Sequence, residues 1–264
     1  MGVLELRVPD RLRVMVTAAG SGIGLAIARA FADQGALVHI CDMDEELLSL
    51  ATEIGPEFVA TCVDVTDDIA VDRWFDTALD HLGGLDVLVN NAGIAGPTAA
   101  IENMDHDGWR RCITVCLDSQ FLACRRAIPV MKDQRSGSII NISSTAGLYG
   151  LPYRTPYVAA KWAVIGFTKS LAAEVGRWNI RVNAICPAAV EGDRMERVIA
   201  AEAAASGRDP EVIRADYTKG VSLNRFVKPE EIAAMAVFLA SPAASMVSGQ
   251  AIAVDGNTET FHSE

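Results

Sequence analysis

Short, continuously apolar runs recur along this chain, each followed by a stretch with helical periodicity. The runs are Leu12–Thr17, Ala36–Cys41, Phe58–Cys62, Leu85–Val89, Ser138–Ile142 and Arg181–Ile185, with a weaker one at Ala251–Val254. A strand apolar on both faces must be buried on both faces, which is the property of a parallel sheet covered by helices on each side. The spacing predicts helices over Ile23–Gln34, Glu45–Ile54, Asp67–Leu82, Asp107–Met131, Tyr157–Val175 and Pro229–Ala240. Short connections and right-handed crossovers then give a doubly wound α/β architecture. The segment from Glu191 to Lys228 breaks the rhythm. It is long, rich in Ala and charge, and lies between the sixth strand and the last helix, where such a stretch reads as a substrate lid. With no linker or repeat, all 264 residues are expected to form one domain.

Charge and cysteine usage narrow the function. The chain has 23 basic and 34 acidic side chains, a net charge of −11, which disfavours nucleic acid and anionic membrane as partners. No uncharged apolar run approaches the ~18 residues of a membrane span. The N-terminal stretch lacks a basic region followed by an apolar one, so no secretory signal is expected. Cys41, Cys62, Cys112, Cys116, Cys124 and Cys186 show no CxxC spacing and sit mostly in apolar runs. They read as reduced, buried thiols of a cytoplasmic protein. Cys112 and Cys116 stand four apart, but no His or carboxylate completes a ligand set, so no metal is expected.

The first strand runs directly into Thr17-Ala18-Ala19-Gly20-Ser21-Gly22-Ile23-Gly24 and then a helix. Glycines let backbone approach a pyrophosphate, and the helix N-terminus offers it unpaired N–H groups. The second strand ends at Asp42, 18 residues after Gly24. A carboxylate there can accept from both adenosine ribose hydroxyls and repels a 2′-phosphate. No Lys or Arg lies between Ala36 and Glu46, so NAD(H) is expected over NADP(H). A plain helix cap is the alternative role for Asp42. Asp64-Val65 is placed to border the adenine, and Asn90-Asn91-Ala92-Gly93 to pack near the ribose.

The chemistry is expected at the end of the fifth strand, where Ser143-Ser144 reaches the carboxyl edge of the sheet. Tyr157 follows 13 residues after Ser144, and Lys161 stands one helical turn beyond Tyr157. A free phenol ionises at about pH 10, and an adjacent ammonium favours its phenolate, as proton exchange with an alcohol near neutrality requires. Ser144 can hold the substrate oxygen. Alone, a YxxxK pattern is common on ordinary helices; its weight comes from the nucleotide turn and the strand-end Ser before it.

Together, TAAGSGIG, Asp42, Asp64-Val65, NNAG, ISS, YVAAK, Arg181-Val-Asn-Ala with Pro187, Ser248-Gly-Gln and Val254-Asp-Gly resemble the short-chain dehydrogenase/reductase family over nearly the whole chain. The resemblance implies a single-domain Rossmann-type fold with a seven-stranded parallel sheet, Tyr157 as acid/base, Ser144 as orienter of the carbonyl or hydroxyl, and Lys161 binding the nicotinamide ribose while tuning Tyr157. It also implies main-chain contacts from Val190 to the nicotinamide amide, and a homotetramer built on the long fourth and fifth helices and the C-terminal segment; Trp162 and Phe167 on those helices are exposed-face candidates, with core packing the equal alternative. Three positions depart from the family pattern. Ala18 replaces the first turn glycine, which is harmless if its φ is negative. Counting from Trp109, the usual Asn of the fourth helix is Cys116, whose thiol cannot reproduce an amide's donor and acceptor set. Pro187-Ala-Ala-Val190-Glu-Gly192 lacks the hydroxyl residue usual near the cofactor.

These observations favour an NAD-dependent oxidoreductase interconverting a small secondary alcohol and its ketone. A 3-oxoacyl thioester reductase is the alternative within enzymes, and a catalytically silent NAD-binding protein the alternative outside them. Arg154, three residues before Tyr157, and Arg194, Arg197, Arg208 and Arg214 in the lid suit a grip on an anionic tail, such as that of a hydroxy acid. Equally, they suit pairing with lid carboxylates such as Glu196, Glu202 and Glu211. Met195, Val198, Ile199 and Tyr217 are expected to line the substrate space.

Overall fold

A computed structural model describes residues 8–52 and 58–258 of the chain. The strands are β1 (Arg13–Thr17), β2 (Leu37–Asp42), β3 (Phe58–Cys62), β4 (Val87–Asn90), β5 (Gly137–Ile142), β6 (Ile180–Pro187) and β7 (Ala251–Val254). They form one seven-stranded sheet in the order β3-β2-β1-β4-β5-β6-β7, parallel at every pairing. Side chains alternate across a strand, so Val14 and Val16 of β1 join one core and Met15 the other. The first core is covered by α1 (Gly22–Ala32), α2 (Glu45–Thr52) and α9 (Pro229–Ala240); the second by α3 (Asp68–Leu82), α5 (Ser119–Gln134) and α6 (Thr155–Val175). Residues 53 and 54, expected to end the second helix, lie outside the described residues.

Three segments differ from their sequence reading. The helix expected over Asp107–Met131 is α4 (His106–Ile113), one π-helical turn at Thr114–Asp118, and then α5. The segment from Glu191 to Lys228, expected as a helical lid, holds two helices, α7 (Asp193–Ser206) and α8 (Pro210–Lys219), that meet through buried Met195, Ile199 and Ile213. Met195, Val198 and Ile199 therefore pack within that segment rather than line the substrate space. Cys62, at the exposed end of β3, is not buried; the other five cysteines are, and all six are free thiols. Among the described residues, no His, Cys, Asp and Glu cluster could hold a metal, and no helix is long and apolar enough to cross a membrane.

A buried polar chain fixes α6 to the middle of the sheet. Asn90 Nδ2 donates to Asn141 Oδ1 at 2.9 Å, and Asn141 Nδ2 donates to Thr168 Oγ1 at 2.9 Å. All three side chains are buried, so each bond lost leaves a desolvated group behind. Asn141→Leu is expected to lower unfolding free energy by about 3 kcal/mol, read by urea denaturation. A loss under about 1 kcal/mol would mean that the chain of amides contributes only its volume.

Candidate active site

In the strand order, β1 and β4 are neighbours whose following helices lie on opposite faces of the sheet. A crevice opens at their carboxyl ends, where open α/β sheets receive ligands. Thr17 and Asn91 clamp its two rims. The Asn91 and Ala92 amides donate to Thr17 Oγ1 at 2.9 and 3.0 Å, and Asn91 Nδ2 donates to the Thr17 and Ala18 carbonyls at 3.1 and 2.8 Å. Gly24 is packed beneath this clamp: a Cβ there would stand 2.4 Å from the Ala18 oxygen and 2.5 Å from Asn91 Nδ2. The Asn91 side chain thus shapes the Gly-rich turn, a role its sequence position did not reveal.

At the start of α1, Ser21 is extended and its side chain caps nothing, and the first turn holds no acid. The amides around Gly22, Ile23 and Gly24 therefore keep their affinity for an anion, a donor set that fits a dinucleotide pyrophosphate. Ala18 corrects an expectation: its φ is +50°, not negative. A Cβ in the left-handed region costs about 1 kcal/mol.

Asp42 ends β2 facing this turn. Its Oδ2 accepts from the Gly20 amide at 3.0 Å and its Oδ1 from the Asp44 amide at 3.3 Å. Asp44 is the residue that caps α2, accepting from the Glu46 and Leu47 amides at 3.0 and 3.1 Å. Asp42 is thereby freed from the capping role and stands at the crevice rim. Asp64 is exposed after β3; the Thr66 amide and hydroxyl donate to it and hold its carboxyl below the usual carboxylate range. Val65 packs at the edge of the second core.

The catalytic candidates converge where the turn after β5 meets α6. Ser143 Oγ donates to the Lys161 carbonyl at 2.8 Å, and a Cβ on Gly147 would lie 2.7 Å from that same oxygen. This contact presses the Ser144 turn onto the part of α6 that carries Tyr157 and Lys161. Ser144 Oγ accepts from the Ala146 amide at 3.1 Å and reaches the Pro187 carbonyl at 3.5 Å. Lys161 is only 2% exposed, and its Nζ donates to the Ile142 carbonyl at 2.8 Å. The half-buried Tyr157 ring has Lys161 Nζ 5.6 Å and the Arg154 guanidinium 5.2 Å from its centroid.

Cys116 lies in the π-helical turn, a local widening frequent at functional sites. Its thiol contacts the Ile94 carbonyl at 3.4 Å, and both Cys116 Sγ and Lys161 Nζ face Gly93, within 3.7 and 3.5 Å of a Cβ placed there. The Cys112 thiol donating to it, with Lys161 nearby, draws Cys116 toward thiolate despite burial, while Cys112 is pushed up by that same contact and by burial. Val190 is held by a bridge to Val227, with the Glu191 amide on the Val227 carbonyl and the Val227 amide on the Ala189 carbonyl, both at 2.9 Å.

Beside α7 and α8 lies a cavity of about 520 Å³ lined by Thr98, Arg154, Ala189, Ile213 and Tyr217, among others. Two of the arginines read as anion-binding are engaged within the segment from Glu191 to Lys228: Arg208 with Asp216, and Arg214 with Glu196 and Glu211. Arg194 and Arg197 lie on the exposed side of α7. Trp162 is 52% exposed on α6, whereas Phe167 packs against the second core.

A family model described as Enoyl-(Acyl carrier protein) reductase matches residues 17–257. A 3-oxoacyl-[acyl-carrier-protein] reductase of Chlamydia trachomatis is 38% identical over 247 residues, 92% of this chain and 95% of the relative. A 3beta-hydroxysteroid dehydrogenase of Mediterraneibacter gnavus is 36% identical over 266 residues, 96% of each chain. The solved structure of an NAD+-bound xylitol dehydrogenase superposes with a TM-score of 0.91 at 30% identity, over 94% of this chain and 99% of that one.

The left-handed Ala18 makes a direct prediction. Ala18→Gly relieves the Cβ conflict but adds freedom to the unfolded chain. The net expectation is a gain of about 0.5–1 kcal/mol, seen as a melting temperature about 2 °C higher. A lower melting temperature would mean that the turn tolerates the alanine without strain.

Proposed function

The chain belongs to the short-chain dehydrogenase/reductase family, and from that premise we infer that it is an NAD-dependent oxidoreductase interconverting a small secondary alcohol and the matching ketone. The observation that carries this reading is that Lys161, with its Nζ 5.6 Å from the Tyr157 ring centroid, is tied to the end of β5 by the Ile142 carbonyl and by Ser143, the neighbour of Ser144, at the sheet edge that also bears the Gly-rich turn. In this reading Tyr157 takes the proton of the substrate hydroxyl, or returns it to the ketone, and Ser144 fixes the substrate oxygen by hydrogen bond. Lys161, anchored by the Ile142 carbonyl, sets positive charge where negative charge develops. Ala18, Gly20, Ser21, Gly22, Ile23 and Gly24 hold the pyrophosphate side of the dinucleotide. Asp42 takes the adenosine ribose, Asp64 and Val65 border the adenine, and Asn91, Tyr157, Lys161 and Val190 surround the nicotinamide half. When bound, the nicotinamide ring supplies the acceptor or donor of the hydride.

Asp42 supports NAD(H) over NADP(H), since its carboxylate faces the turn with no Lys or Arg between Ala36 and Glu46 to offset it. The named relatives also include a 3-oxoacyl thioester reductase, which gives the second reading. Thioester carriers are strongly anionic, and a net charge of −11 disfavours them. One domain with residues 191–228 as its lid, a cytoplasmic setting and a homotetramer complete the proposal. The half-exposed Phe121 on α5 and Trp162 on α6 offer apolar surface for subunit contact.

Two variants test the assignment. Tyr157→Phe is expected to lower kcat by about 10²–10⁴-fold while NADH still binds, measured by fluorescence titration. Unchanged turnover would place the proton exchange elsewhere, and a wild-type protein inert toward a panel of secondary alcohols with NAD+ would leave only cofactor binding. Asp42→Ala is expected to narrow the preference for NAD+ over NADP+ by about tenfold or more, about the worth of hydrogen bonds to a charged group. An unchanged ratio would remove Asp42 from cofactor selection.

A further inference from the structure

Arg154, like Lys161, is a buried cation with no carboxylate partner among the described residues, and unlike Lys161 it keeps a buried side-chain nitrogen without a hydrogen bond. Its side chain is only 6% exposed. Nη2 donates to the Ala95 carbonyl at 2.8 Å, while Nε, equally buried, has no partner. Among the described residues, no carboxylate comes within ion-pairing distance of it, whereas Arg208, Arg214 and Arg225 each have one. Burying a guanidinium unpaired costs several kcal/mol, so a fold that keeps one invites a ligand that repairs it.

Its surroundings say where that ligand sits. Arg154 lines the cavity beside α7 and α8, and its guanidinium lies 5.2 Å from the centroid of the Tyr157 ring. The two carboxylates in the same cavity wall are engaged: Glu202 accepts from the Tyr217 hydroxyl at 2.8 Å, and Asp216 takes Arg208. The remaining wall is largely apolar, with Leu151, Ala188, Ala189, Ile213 and Val221.

We propose that the substrate carries a carboxylate gripped by Arg154, a few bonds from the carbinol carbon presented to Tyr157. The substrate class is then a short hydroxy acid and its keto acid. The proposal rests on the dehydrogenase reading above for the carbinol end alone. Arg suits this task because its planar fork matches a carboxylate in two parallel hydrogen bonds.

The test pairs each member of a panel of 2-, 3- and 4-hydroxy acids with its isosteric amide, assayed with NAD+. For at least one acid, kcat/KM is expected to exceed that of its amide by about tenfold or more, the worth of charge-assisted hydrogen bonds. Arg154→Gln should raise KM for the acid by a similar factor and leave the amide's constants within about threefold, with Arg154→Lys between the two. Butyrate, which cannot react, should raise the melting temperature of the NAD+-loaded wild type and not of Arg154→Gln. Equal handling of acids and amides by the wild type, or an Arg154→Gln variant that harms both alike, overturns the proposal. Should the variants fail to fold, the wild-type acid-to-amide ratio and the butyrate shift decide it. Butyrate binding that depends on Arg154, with no alcohol turned over, would sink the dehydrogenase reading and leave the anion site standing.

Discussion

A buried ammonium holds the chemical end of this molecule together. Lys161 has almost no access to water, and an ammonium removed from water must be met by protein acceptors. The Ile142 carbonyl at the end of β5 accepts from its Nζ, and its own carbonyl accepts from Ser143 one residue further on. The sheet edge and α6 are thus tied through one residue at both its main chain and its side chain. Ser144 lies on one side of that tie and Tyr157 one helical turn along the other. Their relative placement follows from satisfying Lys161 rather than from a direct bond between them.

The nucleotide end depends on a similar device. Thr17 and Asn91 bridge β1 and β4, strands that diverge in their connections though they are adjacent in the sheet. Without that bridge, the Gly-rich turn would have only its own backbone to define it, and glycines define little. The positive φ of Ala18 fits this account. The clamp on the Ala18 carbonyl over-determines the local backbone, and strained φ values persist where surroundings do that.

Most of the scaffold was legible from the sequence because parallel strands write a plain signal. Val14, Met15 and Val16 are apolar in succession since each must be buried, whichever face it takes. Ser144, Tyr157 and Lys161 could be read as candidates because their spacing is local to one strand end and one helix. What escaped depends on geometry that spacing does not encode. The sign of φ at Ala18 is a property of the clamp across from it. The π-helical turn around Cys116 holds no Gly or Pro to mark it, so the pattern read as one helix. In the expected lid, the arginines and their carboxylates were visible, but which pairs form depends on how α7 packs on α8. Only with Arg208 and Arg214 accounted for does Arg154 stand apart.

The charge distribution then has a consequence for how an anion reaches the site. The whole chain carries −11, yet the Tyr157 ring is flanked by Lys161 and Arg154, both buried. At physiological ionic strength, exposed charges are screened beyond about 8 Å, so the acidic surface sets up little barrier at the distance of the crevice floor. Buried cations are screened far less, and their field persists inside the cavity. A net charge of −11 therefore disfavours polyanions at the surface more than it disfavours a small monoanion that enters the cavity alone. On the reading proposed above, selection by size and selection by charge become the same event: a ligand that enters the cavity meets Arg154, and one too large to enter meets only the acidic exterior.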